Sequence, residues 1–343
     1  MKLGAMKLGA LTNDVAIDLG TDNIRIYYKG TISDEPAVIA YDGYNDNIVA
    51  VGKEAYDMID RSPETVDVIK PLSCGVITDF DMAARMIAAF LGKVVGGVIK
   101  PRVMVTVPSG ITDVEKRAVR DAIMVSEMRE VYIIESPIAG AIGANCDVSL
   151  ARGMMLVDLG GGKCNISSIS VGQTVTGRLI RLGGNDFTEA IINKILERHE
   201  LKVGFHSAER LKKEIGCAFQ REDDETSLVS GYNVKTRKPE QIVIRSEEIR
   251  EAFTELLDRI AIEIKTALDE TPTELLGDIM EDGILLVGGG AQLYGLAKKL
   301  RVDLGVKVFL AEEADLCIIK GAGVVADNID KMSDNNSYVF TKF

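Results

Sequence analysis

Asp18 and Asp158 each end an aliphatic strand and stand just before a glycine turn, 140 positions apart. In the first copy VAIDLG, 15–20, turns through Thr21, Asp22 and Asn23 into IRIYY, 24–28. In the second, MMLVDLG, 154–160, turns through Gly161, Gly162 and Lys163 into NISSIS, 165–170. Glycine lets backbone N–H groups approach phosphate oxygens with no Cβ in the way, so two such hairpins facing each other can grip a phosphate chain from both sides. An Asp at each strand end supplies a carboxylate ligand for Mg²⁺, which keeps several waters and takes few protein ligands. A third cluster, ILLVGGGAQLYGL, 284–296, passes from a continuous apolar strand through Gly288, Gly289 and Gly290 into a helical segment. That is the pattern of a buried parallel strand feeding a helix N-terminus. The residues alone leave open that Asp18 and Asp158 only cap turns and that the glycine loops hold no ligand.

The elements that must position these turns read as an α/β scaffold. The repeated strand-Asp-Leu-Gly turn suggests two related half-molecules. RVMVTVP, 102–108, and VYIIE, 131–135, are strands. Thr112 and Glu115 form a capping box that opens a helix predicted to run to 129. A small-residue helix follows over 137–144. From 246 to 269 the apolar positions Ile249, Phe253, Leu256, Leu257, Ile260, Ile264, Ala267 and Leu268 trace one face of a long helix. Residues 220–245 are polar and strand-poor and read as a peripheral subdomain. The tail from 327 reads as loose at its end.

A chain of 343 residues exceeds what one hydrophobic core usually supports, so two domains are expected. With 46% apolar residues, 5% aromatics and no Trp, the core must be aliphatic, which suits buried parallel strands. A net charge of −12 with no Lys/Arg block argues against general nucleic-acid binding. Five scattered Cys and two His indicate neither a zinc site nor a disulfide framework. No apolar run spans a bilayer and no signal-peptide pattern opens the chain, so a cytoplasmic protein is expected. The duplicated opening MKLGAMKLGA reads first as a flexible leader or an artefact, and second as a membrane-touching segment. His199 and His206 read as surface residues.

Beyond the hairpins, the chain carries EPAV (35–38), GVITDF (75–80), VPSG (107–110), PIAGAIGA (137–144), GGNDFTEAII (183–192), AERLKKEIG (208–216) and LVGGGAQLYGL (286–296). In these motifs, from about 14 to 330, it resembles the bacterial actin MreB family of the actin, sugar-kinase and heat-shock-chaperone ATPase superfamily. The resemblance implies an actin-like fold of two domains, 1–150 with a small subdomain at about 34–70, and 151–330 with one at about 185–250, followed by a flexible tail, 331–343. ATP with Mg²⁺ would lie in the cleft between them. Gly20, Thr21, Asp22 and Asn23 would hold phosphates from one side and Gly161, Gly162 and Lys163 from the other. Glu209 and Lys212, three residues apart on one helix face, would reach the ribose and base. Gly289, Gly290, Ala291 and Gln292 would line the adenosine pocket. Asp18 and Asp158 would hold the metal through water, Asp158 also positioning the attacking water.

Two positions depart from that pattern. The family has two Thr after the triple glycine and an acidic pair before the proline; here stand Lys163 with Cys164, and Glu135 with Ser136. The glutamate adjacent to the proline orients the attacking water in the family, and Ser136 cannot act as a general base unaided at neutral pH. Glu135, one position earlier on an extended strand, should face the other way. Lys163 would place an ammonium near the phosphates, tightening binding in ground and transition states alike, unless it points to solvent. The expectation is an ATP-binding filament protein for cell shape or motility with weak hydrolysis, joining itself and paralogous subunits. A non-polymerising nucleotide-gated adaptor and a small-molecule kinase are the alternatives. Peripheral contact with the inner face of the cytoplasmic membrane is also open, through Phe90, Leu91, Val94 and Val95 or through the N-terminus.

Overall fold

The computed structural model describes residues 13–59, 61–95, 100–333 and 339–343. Two mixed sheets carry the fold. The first has six strands in the order Phe340–Lys342, Glu130–Glu135, Arg102–Val107, Val15–Leu19, Asn23–Tyr28, Thr31–Pro36. The second has five, in the order Gln173–Ile180, Cys164–Ser170, Met154–Leu159, Ile284–Val287, Val308–Leu310. In each sheet the strand that ends in aspartate pairs antiparallel with its hairpin partner on one side and parallel with an aliphatic strand on the other. Asp18 lies opposite Arg25 and Thr106, and Asp158 opposite Asn165 and Val287. The repeat seen in the sequence is therefore a repeat of sheet geometry. These strands are aliphatic throughout because both faces are covered: every residue of Val15–Leu19 is buried.

Helices cover the sheets as their apolar periodicity requires. Asp113–Met124 starts with the Thr112 and Glu115 capping box, its backbone and side-chain bonds both formed, and ends five residues before the expected 129. Ser246–Glu270 buries Ile249, Phe253, Leu257, Ile260 and Ile264 on one face against the second sheet. The Ser136–Gly143 helix, which leaves the first sheet, packs on the second, and the Cys317–Ala326 helix, which leaves the second, packs on the first. The two cross with their backbones touching. A Cβ on Gly143 would sit 1.8 Å from the carbonyl oxygen of Cys317, and one on Gly321 would sit 1.8 Å from that of Ala139.

Three expectations need correction. Residues 220–245 are not strand-poor: Thr226–Asn233 and Lys238–Arg245 form an eight-by-eight antiparallel hairpin that pairs with Leu201–Lys202. Only one face of that hairpin packs, through Val229 and Ile244, so its sequence shows few apolar positions. The segment expected as a flexible tail carries the strand Phe340–Lys342, which pairs antiparallel with Tyr132, Ile133 and Ile134 and sets the Phe340 ring edge-on to Tyr132; residues 334–338 lie outside the described residues. Phe90 and Leu91, proposed for a membrane loop, sit on the Phe80–Val94 helix at 2% and 1% exposure in the core of the first sheet, with Val94 and Val95 packed beside them. Their burial removes them as a membrane contact. The duplicated N-terminus lies outside the described residues, and among those described no helix is long and apolar enough to cross a membrane.

Candidate functional site

The aspartate-ending strands of both sheets run toward one cavity of about 740 Å³, a volume suited to a nucleotide-sized ligand. Its floor is the two hairpins. Each closes the same way, Gly20 N–H donating to the Asn23 carbonyl at 3.0 Å and Gly160 N–H to the Lys163 carbonyl at 2.9 Å. The hairpin tips meet. A Cβ on Gly161 would fall 1.8 Å from Asp22 Oδ2, and one on Gly162 would fall 2.8 Å from the Thr21 side chain. A side chain at either glycine would have to push Asp22 or Thr21 aside. The Gly184–His199 helix is fastened to the second hairpin, with Gly184 N–H donating to Gly160 O and Asn185 N–H to Gly161 O at 2.9 and 2.7 Å. Its N-terminal dipole thus faces the same space.

Asp18 accepts from Thr106 Oγ1 at 2.6 Å and lies 4.0 Å from the Arg25 guanidinium. Asp158 is 2% exposed, and its Oδ2 has no hydrogen-bond partner. Burial pushes its carboxyl up to about 6, with Lys163 drawing it down and Asp18 raising it further. A carboxyl raised by folding favours the fold only while protonated. That contribution is complete below the ordinary value of 3.8 and is lost as pH rises through about 6. Asp158→Asn is accordingly expected to be more stable than the parent at about pH 7, by on the order of 2 kcal/mol, with the difference gone near pH 4. Thermal melts of the two proteins at those pH values check this.

At the far end of the cavity, Glu209 and Lys212 form a 2.6 Å ion pair, while Lys212 Nζ also donates to Gly184 O and Thr188 Oγ1 at 2.7 and 2.9 Å. Burial works to raise the Glu209 carboxyl, but Lys212 and the bonds from Lys212 and Thr188 override it and hold it below its usual range. Gly289, Gly290 and Gln292 line the opposite wall, with Gln292 Nε2 donating to Asp315 at 2.7 Å. Ala291, expected there, instead packs at 2% exposure in the core of the second sheet. The chain turns through Gly289–Gln292 as a single 3₁₀ turn before the Leu296–Leu304 helix begins.

Gly20, Thr21, Asp22, Asn23, Gly161 and Lys163 line the cavity as expected. Gly162 does not: its carbonyl accepts from Cys74 Sγ at 3.1 Å, joining the second hairpin to the turn at 73–75. Ser136 is 1% exposed and is not one of the lining residues. Glu135 is turned away, accepting from Thr174 Oγ1 at 2.5 Å. Lys163 does not point to solvent. It is 8% exposed and reaches across so far that a Cβ on Gly75 would lie 2.7 Å from its Nζ. Lys70 and Asn185 escaped the sequence reading, yet both hold Asp22, at 3.3 and 3.0 Å. So did Arg221, stacked 4.2 Å over the Tyr294 ring at the cavity wall. Asn185 lies inside the GGNDFTEAII motif, which was the one available signal. His206 is exposed as expected but meets Tyr56, Nδ1 to Oη 3.1 Å, across the mouth of the cavity.

Duplicated sheets with matching hairpins around one cavity define an actin-like protein with a cleft of nucleotide size. The family model described as MreB/Mbl protein matches residues 12–334. The cell shape-determining protein MreB of Haemophilus influenzae is 39% identical over 333 residues, 94% of this chain and 95% of that one. The cell shape-determining protein Mbl of Bacillus subtilis is 37% identical over 323 residues, 93% and 97% of the two chains. The chain belongs to the MreB/Mbl family. Among solved structures, MreB5 of Spiroplasma citri bound to ADP superposes with a TM-score of 0.89 at 29% identity, over 94% of this chain and 98% of that one. The same protein bound to AMPPNP matches equally well. A MamK double helical filament, at 20% identity and a TM-score of 0.77 over 92% of this chain and 99% of that one, shares the fold.

Proposed function

We propose that this protein is a cytoskeletal actin that binds ATP between lobes 1–150 and 151–330, polymerises, and hydrolyses its nucleotide slowly. The observation that carries the reading is the meeting of two glycine hairpins over Asp18 and Asp158, with an ammonium where the family has a hydroxyl and a serine where it has a glutamate. ADP and AMPPNP in the similar Spiroplasma citri structures support an adenine nucleotide in this cleft. The residues present also fit a divalent ion: the unpartnered Oδ2 of Asp158, with Asp18 behind it, would hold Mg²⁺ through water. Such an ion supplies neutralising charge to a polyphosphate. Gly20 to Asn23 and Gly161 would hold the phosphates, and Glu209, Lys212 and Gln292 the nucleoside.

The relatives are named for cell shape, so shape or motility at the inner face of the cytoplasmic membrane is the proposed role, with copies of itself and paralogous actins as partners. High-speed sedimentation with and without ATP, followed by electron microscopy of the pellet, tests it. ATP-dependent filaments are the expected result. A protein that binds ATP yet stays in the supernatant and shows no filaments is an adaptor, and polymerisation is then wrong.

A further inference from the structure

We infer that Lys163 is a built-in counter-cation for the bound polyphosphate, so that this cleft holds a nucleoside triphosphate with little dependence on a divalent ion. The inference rests on the nucleotide-binding reading above. Lys163 is more than nine-tenths buried, lines the cavity, and, among the described residues, its Nζ has no hydrogen-bond acceptor within 3.5 Å and no carboxylate within 4.0 Å. An ammonium taken out of water without a partner is costly, and an anion placed beside it removes that cost. The backbone fixes where the anion must be. Lys163 follows Gly161 and Gly162 in the second hairpin, and its side chain runs along the floor between that hairpin and the turn at Gly75.

The charges of the floor lead to the same conclusion. Asp18 is matched by Arg25 at 4.0 Å, a guanidinium it shares with Asp34 at 3.0 Å, and Asp22 is matched by Lys70 at 3.3 Å. Asp18 and Asp22 therefore meet resident cations before any metal arrives. A polyphosphate entering this space finds a fixed positive charge, and a divalent ion must enter against it. With threonine in place of Lys163, that charge has to come from the ion.

Fluorescence titration with a mant-labelled ATP, in excess Mg²⁺ and in EDTA, tests the inference on the intact protein. A charge-assisted contact at a desolvated site is worth about 1.5–3 kcal/mol, roughly 10- to 100-fold in affinity. The parent is expected to bind with nearly the same Kd in both media. Lys163→Thr is expected to lose at least about tenfold in EDTA and to recover in Mg²⁺, while Lys163→Arg, which keeps the charge, follows the parent. A parent whose affinity falls about tenfold or more in EDTA overturns the inference and leaves the nucleotide reading intact. So does a Lys163→Thr protein that binds in EDTA as tightly as the parent. No binding by the parent in either medium overturns the nucleotide reading, and this inference with it. The parent titration needs no variant, so misfolding of Lys163→Thr does not leave the question undecided.

Discussion

Ser136→Glu combined with Lys163→Thr is expected to raise phosphate release from ATP by about 10²- to 10⁴-fold over the parent, the range a positioned acid–base group contributes. The parent offers no group for the task. Ser136 is buried at the start of its helix and does not line the cavity, and Glu135 is held to Thr174 on the other side of the strand. The two substitutions are needed together. With Lys163 still in place, the position where the resemblance has a threonine remains an ammonium, so Ser136→Glu alone should change the rate far less. Lys163→Thr alone restores space but no base. Single-turnover phosphate release with radiolabelled ATP separates these cases, and a double variant that binds ATP as the parent does but turns over no faster would refute the missing-base account.

The largest effect on stability is expected at the helix crossing. Gly321→Ala should lower stability by roughly 3 kcal/mol or more, about 4 °C or more in Tm, because its methyl group would lie 1.8 Å from the backbone oxygen of Ala139. A flexible side chain could swing aside; a backbone carbonyl inside a helix cannot. Gly143→Ala, aimed at the Cys317 carbonyl, should behave alike. Gly277→Ala is the control. That glycine lies in the Thr273–Asp282 helix with nothing within 4 Å of its Cβ position, so alanine there should be neutral or stabilise by up to about 1 kcal/mol through helix propensity. Equal melting of the Gly321 and Gly277 variants would show that the crossing is looser than its geometry implies.

The phosphate hairpins were legible in the sequence because their signal is local. An aliphatic strand, an aspartate and a glycine turn lie within ten residues, and the second copy repeats the first. The Thr112 capping box and the buried face of Ser246–Glu270 were legible for the same reason, since helix periodicity and caps are properties of one segment. The partners of Asp22 were not. Lys70 and Asn185 reach it from 48 and 163 positions away and become neighbours only when both sheets are built. The hairpin over 226–245 escaped because a strand that packs on one face, and at few positions, looks polar. Phe90 and Leu91 looked available to a membrane because an apolar pair at the end of a helix reads the same whether it faces lipid or core; the first sheet decides it. Ala291 was misplaced for a related reason, since the 3₁₀ turn after Ile284–Val287, with three residues per turn, sends Ala291 into the core while Gly289, Gly290 and Gln292 stay on the cavity side.

The crossing at Gly143 and Gly321 also constrains how the molecule can deform. Two backbones in contact block closer approach, and Ile138, Ile142, Ile318 and Ile319, buried in the same core, resist turning about the touching point. The contact is thus a fixed spacer. In a polymer of such subunits it would hold the separation of these two helices constant inside every monomer.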